Sequence, residues 1–145
     1  MAASDDGFFS EADLVYAYTV DQAVEDGVLV DVTETAKEAG FSCRVVVTRA
    51  VWDDCVEWSE KDAKRSRALQ DEAGRLWDVV WMAGWAARIA ARAERPKSEA
   101  LFKLVRVPRP GRGRVRNVVL KVAMGSAGPD AGSGPVATIM MREED

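Results

Sequence analysis

The sequence contains no histidine and only two cysteines among its 145 residues. Because imidazole is the commonest general base near neutral pH and the commonest metal ligand, its absence excludes Ser/His/Asp and Cys/His catalytic sites and most zinc sites. Two thiols alone cannot close a tetrahedral zinc site either. We expect Cys43 and Cys55 to be reduced packing residues. The sequence therefore predicts no cofactor, no metal site and no enzymatic activity.

Long uninterrupted apolar segments are also missing. The most apolar stretch, residues 76–93, is interrupted by Asp78, Arg88 and Arg92, which makes it a poor membrane span. The acidic start of the chain lacks the basic region and apolar run of a secretory signal. We therefore expect a cytoplasmic protein that does not contact membranes.

The length of the chain favours one domain over residues 1–145. Two segments of low order are expected, a flexible segment at 1–12 and a mobile glycine-rich loop at 125–135 between two strands. No internal repeat is visible.

All five tryptophans lie between residues 52 and 85. Trp77, Trp81 and Trp85 recur every fourth residue, which is the spacing of one helical face. Because tryptophan is large and costly to expose, we expect this face to be buried at the centre of the fold. Trp58 lies at the margin of the preceding apolar stripe, and we select it as the exposed anchor for a partner, although core packing is the favoured expectation for each tryptophan taken singly.

The remaining pattern predicts an α+β fold, with short N-terminal helices and two longer tryptophan-rich helices packed on an antiparallel sheet of three or more strands. Short helices are expected to end at Gly27 and Gly40, and an amphipathic helix of about five turns is expected to begin after Thr48. The tryptophan helix should run from about Arg75 to Glu94. Strands or extended segments are predicted at 28–32, 43–47, 101–107, 117–124 and 136–141.

Charge is distributed unevenly along the chain. Residues 1–40 hold ten acidic residues and one basic residue, whereas residues 88–121 hold eleven basic residues and two acidic ones. Such asymmetry indicates either an interaction surface or two segments that neutralise each other.

Basic residues concentrate in a predicted hairpin around the sequence VPRPGRGRVRN. Arginine forks suit phosphates and carboxylates, so this hairpin is a candidate contact for nucleic acid or for an acidic protein surface. A solvated hairpin whose charge discourages edge pairing is the structural alternative. The predicted partner-binding residues are Arg106, Arg109, Arg112, Arg114, Arg116, Lys121 and Trp58.

A cluster of carboxylates lies on the predicted helix that follows Thr48. Asp53, Asp54 and Glu57 are close enough in sequence to share one side of that helix. Metal ions need more ligands than these, and catalytic pairs need a cleft. We expect a water-facing row in which Lys61 is the partner.

Three blocks carry a family resemblance: YTVDQAVEDGVLVDVTETAKEAGF at 18–41, VVVTRAVWDDCVEW at 45–58 and GRLWDVVWMA at 74–83. Together they resemble a family of small uncharacterised proteins carried by phages, plasmids and integrative elements. The resemblance brings no catalytic motif with it. It implies an accessory protein of a mobile element, a setting in which antagonists of restriction or CRISPR systems are common.

Together these features predict a protein that works by binding. The first hypothesis is an inhibitor of the anti-CRISPR or anti-restriction type, which occupies a surface of a host protein or ribonucleoprotein complex involved in defence or nucleic-acid processing. The alternative is an accessory protein that binds DNA or RNA directly through the basic hairpin.

Overall fold

The computed structural model describes residues 20–65, 71–107, 115–126 and 134–144. Its helices are α1 (20–25), α2 (Thr33–Glu38), α3 (Arg49–Val51), α4 (Glu60–Arg65) and α5 (Glu72–Arg92), and a π-helical segment (Trp52–Val56) continues α3. The strands are β1 (Leu29–Asp31), β2 (Arg44–Thr48), β3 (Glu99–Arg106), β4 (Arg116–Ser126) and β5 (Pro135–Met141). Mixed helix and sheet confirm the broad fold class.

The five strands form one sheet in the order β1-β2-β5-β4-β3. The predicted meander is confirmed, because β3 pairs with β4 and β4 with β5, both antiparallel. The expectation of a purely antiparallel sheet is wrong, because β2 pairs with β5 in parallel. Parallel neighbours need a long crossover, and the chain between β2 and β5, which includes α5, supplies it. Alternation along a strand identifies its two faces but not its neighbours.

The hydrophobic core lies on one face of this sheet, beneath α2, the π-helical segment and α5. Register places the inward side chains together, since Phe102 is paired with Leu120, and Val122 with Ile139. Side chains with no exposed surface include Val45, Val47, Leu120, Ile139, Val79 and Val80.

Local signals at helix ends match the sequence. Gly27 and Gly40 have φ values of 79° and 106°, the left-handed conformation in which glycine avoids a Cβ clash. The hydroxyl of Thr48 accepts a hydrogen bond from the Val51 amide and caps α3. These three predictions are confirmed.

The second long helix is not continuous, which corrects the prediction of five turns after Thr48. The π-helical segment ends where Glu57 takes a non-helical conformation. A new helix begins at a capping box, in which the Asp62 carboxylate accepts from the Ser59 amide at 2.8 Å and the Ser59 hydroxyl accepts from the Asp62 amide at 3.2 Å. Two short helical pieces therefore replace one long helix.

The two segments of expected low order fall largely outside the described residues. Residues 1–12 are among those not described. Within the predicted 125–135 loop, Gly125 and Ser126 pair with Val136 and Pro135, so both ends belong to strands, and the central part lies outside the described residues. In the described part of the chain, no helix is long and apolar enough to cross a membrane.

We predict that Leu120→Ala lowers the free energy of unfolding by about 2–5 kcal/mol, because it leaves a cavity in the middle of the core. Leu101→Ala is the matched control, since Leu101 lies on the neighbouring strand but is exposed, and it should cost less than about 1 kcal/mol. Urea unfolding measures both. Equal losses would contradict the assignment of the buried face.

Candidate interaction surface

The tryptophans of α5 face solvent, which overturns the expectation that they form the centre of the fold. Trp77, Trp81 and Trp85 are 36%, 46% and 55% exposed, whereas Val79 and Val80 on the opposite side are wholly buried. Both sides of the helix are apolar, so periodicity alone could not identify the buried one.

Small residues explain which side of α5 packs inward. Ala83 and Gly84 are buried, and a Cβ added to Gly84 would lie 3.2 Å from the ring of Phe41. This close approach leaves no room for large side chains between α5 and its neighbours. The alanines and glycine of α5 were the signal in the sequence for the buried side.

The exposed side of α5 forms a continuous apolar surface, the tryptophan surface, which consists of Trp77, Trp81, Trp85 and Ile89. The rings of Trp77 and Trp81 stack with centroids 5.7 Å apart, and Ile89 is 60% exposed. The four side chains expose roughly 400 Å² of mostly apolar area, as large as the main patch on a typical monomer. Apolar patches of this size are often functional, which makes the tryptophan surface the candidate interaction site.

Charged groups occur at both ends of the tryptophan surface. Asp78 lies on the exposed side near Trp77 and Trp81, while the Arg88 guanidinium lies 5.9 Å from the ring centroid of Trp85. Among the described residues, neither Asp78 nor Arg88 takes part in an ion pair or a side-chain hydrogen bond. Asp78 is thus an exposed charge, and Arg88 a half-buried one, that no ion pair neutralises within the described part of the chain.

Trp58, the tryptophan predicted to be an exposed anchor, is buried, with only 8% of its surface exposed. The turn after the π-helical segment directs the side chain inward, where the guanidinium of Arg75 lies 4.6 Å from the ring centroid. Its indole Nε1 is a buried donor that makes no hydrogen bond to any described residue. Trp58 thus belongs to the interior and not to a binding surface.

Arg75 is the buried cation of this region. Its guanidinium donates hydrogen bonds to the carbonyl oxygens of Val56 at 3.1 Å, Val107 at 2.9 Å and Asp54 at 3.1 Å. Burial lowers the pKa of Arg75, and neighbouring acidic groups including Asp54 oppose that shift. Two of these carbonyl groups, those of Asp54 and Val56, belong to the π-helical segment, whose last carbonyls lack partners within the helix, and that of Val107 follows β3.

Two of the predicted basic contacts are occupied within the chain. Arg106 binds the Asp54 carboxylate at 2.6 Å and has only 12% of its side chain exposed. Lys121 donates to the Glu144 carbonyl oxygen at 2.8 Å. The excess of basic residues in the sequence pointed to these two side chains, but it did not show which groups of the same chain they bind.

The other predicted basic contacts have different positions. Arg116 is exposed at the start of β4. Arg109, Arg112 and Arg114 lie outside the described residues. Of the predicted residues that the structure describes, Arg106 and Arg116 are brought together as register partners of β3 and β4, where the Arg106 guanidinium donates to the Arg116 carbonyl oxygen at 3.2 Å.

The acidic residues also have partners other than those expected. Asp54 leaves the predicted water-facing row to bind Arg106, and Asp53 lies 3.7 Å from Arg49. Near the N-terminal end of the described chain, Arg44 binds Asp21 at 2.7 Å and Asp31 at 3.1 Å.

Both cysteines are free thiols, as predicted. Burial, reinforced by the nearby Asp54 carboxylate, raises the pKa of Cys55 to about 12. Burial also raises the pKa of Cys43. Neither thiol has the lowered pKa of a reactive cysteine.

The described residues form a small α+β protein with an apolar surface exposed on α5. The sequence matches a family of unknown function, DUF6573, over residues 5–145, and the chain belongs to that family. No curated protein and no solved structure matches it. The expectation of an uncharacterised family is thus confirmed, whereas an origin in mobile elements stays a prediction.

We predict losses of stability of very different size for two tryptophan variants. Trp58→Ala should lower the free energy of unfolding by about 3–5 kcal/mol, because it empties a buried site beneath Arg75. Trp81→Ala should cost less than about 1 kcal/mol, because Trp81 is exposed and alanine is a good helix former. Chemical denaturation of both variants tests the assignment, and a larger loss for Trp81→Ala would contradict it.

We also predict that stability falls at alkaline pH because of Cys55. The pKa of its thiol is higher in the folded than in the unfolded state, so this contribution is complete below pH of about 9 and is lost as pH rises towards 12. Unfolding free energies between pH 8 and about 11 should decline more steeply for the wild type and Cys43→Ala than for Cys55→Ala. Identical slopes in all three proteins would show that the Cys55 thiol is not responsible.

Proposed function

We propose that this protein acts by binding a protein partner through the tryptophan surface, and not by catalysis. The observation that carries the proposal is the row of three exposed tryptophans on a helix whose other side is fixed in the core. Tryptophan is the residue type most enriched among binding hot spots, and a rigid helix presents it with little loss of entropy.

The partner that we propose is a host complex for defence or nucleic-acid processing, and the protein is then an accessory factor of a mobile element. This part rests on the resemblance of the sequence blocks at 18–41, 45–58 and 74–83. Occupation of a surface on such a complex would inhibit it without chemistry. The exposed area of the tryptophan surface suits this mode of action because it can exclude water from a contact.

Direct binding of nucleic acid through the basic hairpin is the weaker proposal. Arg106 and Lys121 already bind groups within the chain, which removes two of its cations from free contact. Arg116 is exposed and keeps this alternative testable. Binding to phosphates would fall steeply with salt, whereas an apolar contact would not.

We predict that the triple substitution of Trp77, Trp81 and Trp85 by Ala abolishes inhibition in cells that carry an active CRISPR or restriction system. The measurement is survival of a challenging phage or plasmid. Alanine maintains the helix, so the folded state should persist in circular dichroism. The matched control is Leu101→Ala with Val105→Ala, which removes exposed apolar area from β3 and should leave inhibition intact.

A second variant separates the two proposals. Arg109, Arg112 and Arg114 changed to Ala should reduce inhibition only if the hairpin is the contact. Loss of inhibition in this variant alone, with full inhibition by the tryptophan variant, would contradict the proposed surface. Absence of inhibition by the wild type in every system tested would contradict the proposed class of partner.

A further inference from the structure

We infer that the tryptophan surface also pairs with the same surface of a second copy of this chain, with the two α5 helices antiparallel. The inference rests on the proposed function in one respect, which is that this surface binds protein. A second copy is favoured by the charges along α5. When two copies of this helix lie antiparallel, the acidic end of each helix meets the basic end of the other.

The exposed side of α5 has its acidic residue near one end and its basic residues near the other. Asp78 lies in the N-terminal half, and Arg88 and Arg92 lie in the C-terminal half. The tryptophan surface, from Trp77 to Ile89, spans about 18 Å of helix, and Asp78 and Arg88 lie just inside its two ends. Antiparallel pairing brings the acidic end of one copy to the basic end of the other.

One register satisfies the apolar and the charged groups together. A two-fold axis that crosses the exposed side midway between Trp81 and Trp85 puts each of these residues at the level of the other in the partner helix. The same axis puts Asp78 at the level of Arg88 in the partner. Trp77 and Ile89 are brought level in the same way, so every residue of the surface has an apolar counterpart.

A parallel pair of the same helices would be unfavourable. It would bring Asp78 level with Asp78, and Arg88 with Arg88, so that like charges repel beside an apolar contact. It would also align the two helix dipoles, whereas antiparallel helices oppose them. Electrostatics therefore selects the antiparallel arrangement.

The size of the surface sets the strength of the pair. Roughly 400 Å² of apolar area per copy, with the flanking charged side chains added, is smaller than the ~800 Å² per partner of a standard interface. We therefore expect a reversible dimer that dissociates on dilution. A partner that binds the tryptophan surface would compete with the second copy.

The first experiment measures the molecular mass of the protein in solution by sedimentation equilibrium. The protein concentration is varied over about three decades, a range that includes micromolar dissociation constants. The wild type should pass from monomer to dimer, whereas Trp81→Glu should stay a monomer because each copy would place a carboxylate in the apolar contact. A wild-type protein that is monomeric throughout would overturn the inference. So would a Trp81→Glu variant, folded by circular dichroism, that dimerises as tightly as the wild type.

Charge reversal tests the antiparallel register. Asp78→Arg and Arg88→Asp should each weaken the dimer at least about tenfold, because each places like charges at the same level. Asp78→Arg combined with Arg88→Asp in one chain should restore it. Lys103→Asp, a charge reversal on the outer face of β3, is the control and should have no effect.

Failure of this inference is distinguishable from failure of the proposed function. If the single reversals do not weaken the dimer, or if the double variant does not restore it, the antiparallel register is wrong, whatever the cellular assay shows. If the dimer behaves as expected but neither the wild type nor any variant inhibits a defence system, the inference of self-pairing is supported and the proposed partner is wrong.

Discussion

The structure depends most on the buried guanidinium of Arg75. Three carbonyl oxygens, from Asp54, Val56 and Val107, accept its hydrogen bonds, and the ring of Trp58 covers it. A π-helical segment leaves carbonyl groups without regular partners at its end, and an uncompensated buried carbonyl is costly. By supplying donors from α5, this side chain joins that helix to the π-helical segment and to the end of β3. The orientation of α5, and hence the outward direction of its tryptophans, follows from this attachment.

Close packing reinforces that orientation. Buried Gly84 against Phe41, together with wholly buried Val79, Val80 and Ala83, leaves α5 with only one way to meet the sheet. The large aromatic side chains are then excluded from the interior by lack of space and not by lack of hydrophobicity. Burial of an exposed apolar side chain against a partner would be favourable, because it removes apolar surface from water. This is the physical basis for regarding α5 as a candidate interface element.

Local chemistry made much of the fold predictable. Helix ends at Gly27, Gly40 and Thr48 were predictable because their signals depend only on neighbouring residues. Period-two alternation likewise predicted β3, β4 and β5. Contacts between residues that are far apart in the sequence were not predictable. Periodicity could not say that the alanine side of α5 packs inward, or that β2 lies beside β5. Ser59 fits helical spacing as well as the capping box that it forms, and the charge of Arg106 does not reveal its pairing with Asp54. The candidate site therefore contains Trp77, Trp81 and Trp85, which were expected in the core, and not Trp58, which was expected at the surface.

The position of β5 has a consequence for biosynthesis. This strand is the last in the described sequence, yet it occupies the middle of the sheet, between β2 and β4. While the ribosome is still making residues 135–141, β1 and β2 have no link to the rest of the sheet, and β2 presents an unpaired edge of valines. Contacts between segments so far apart in sequence form slowly, and exposed edges of this kind recruit other chains. The nascent chain therefore completes its native sheet only after β5 has emerged, and until then the edge of β2 is open to pairing with other chains.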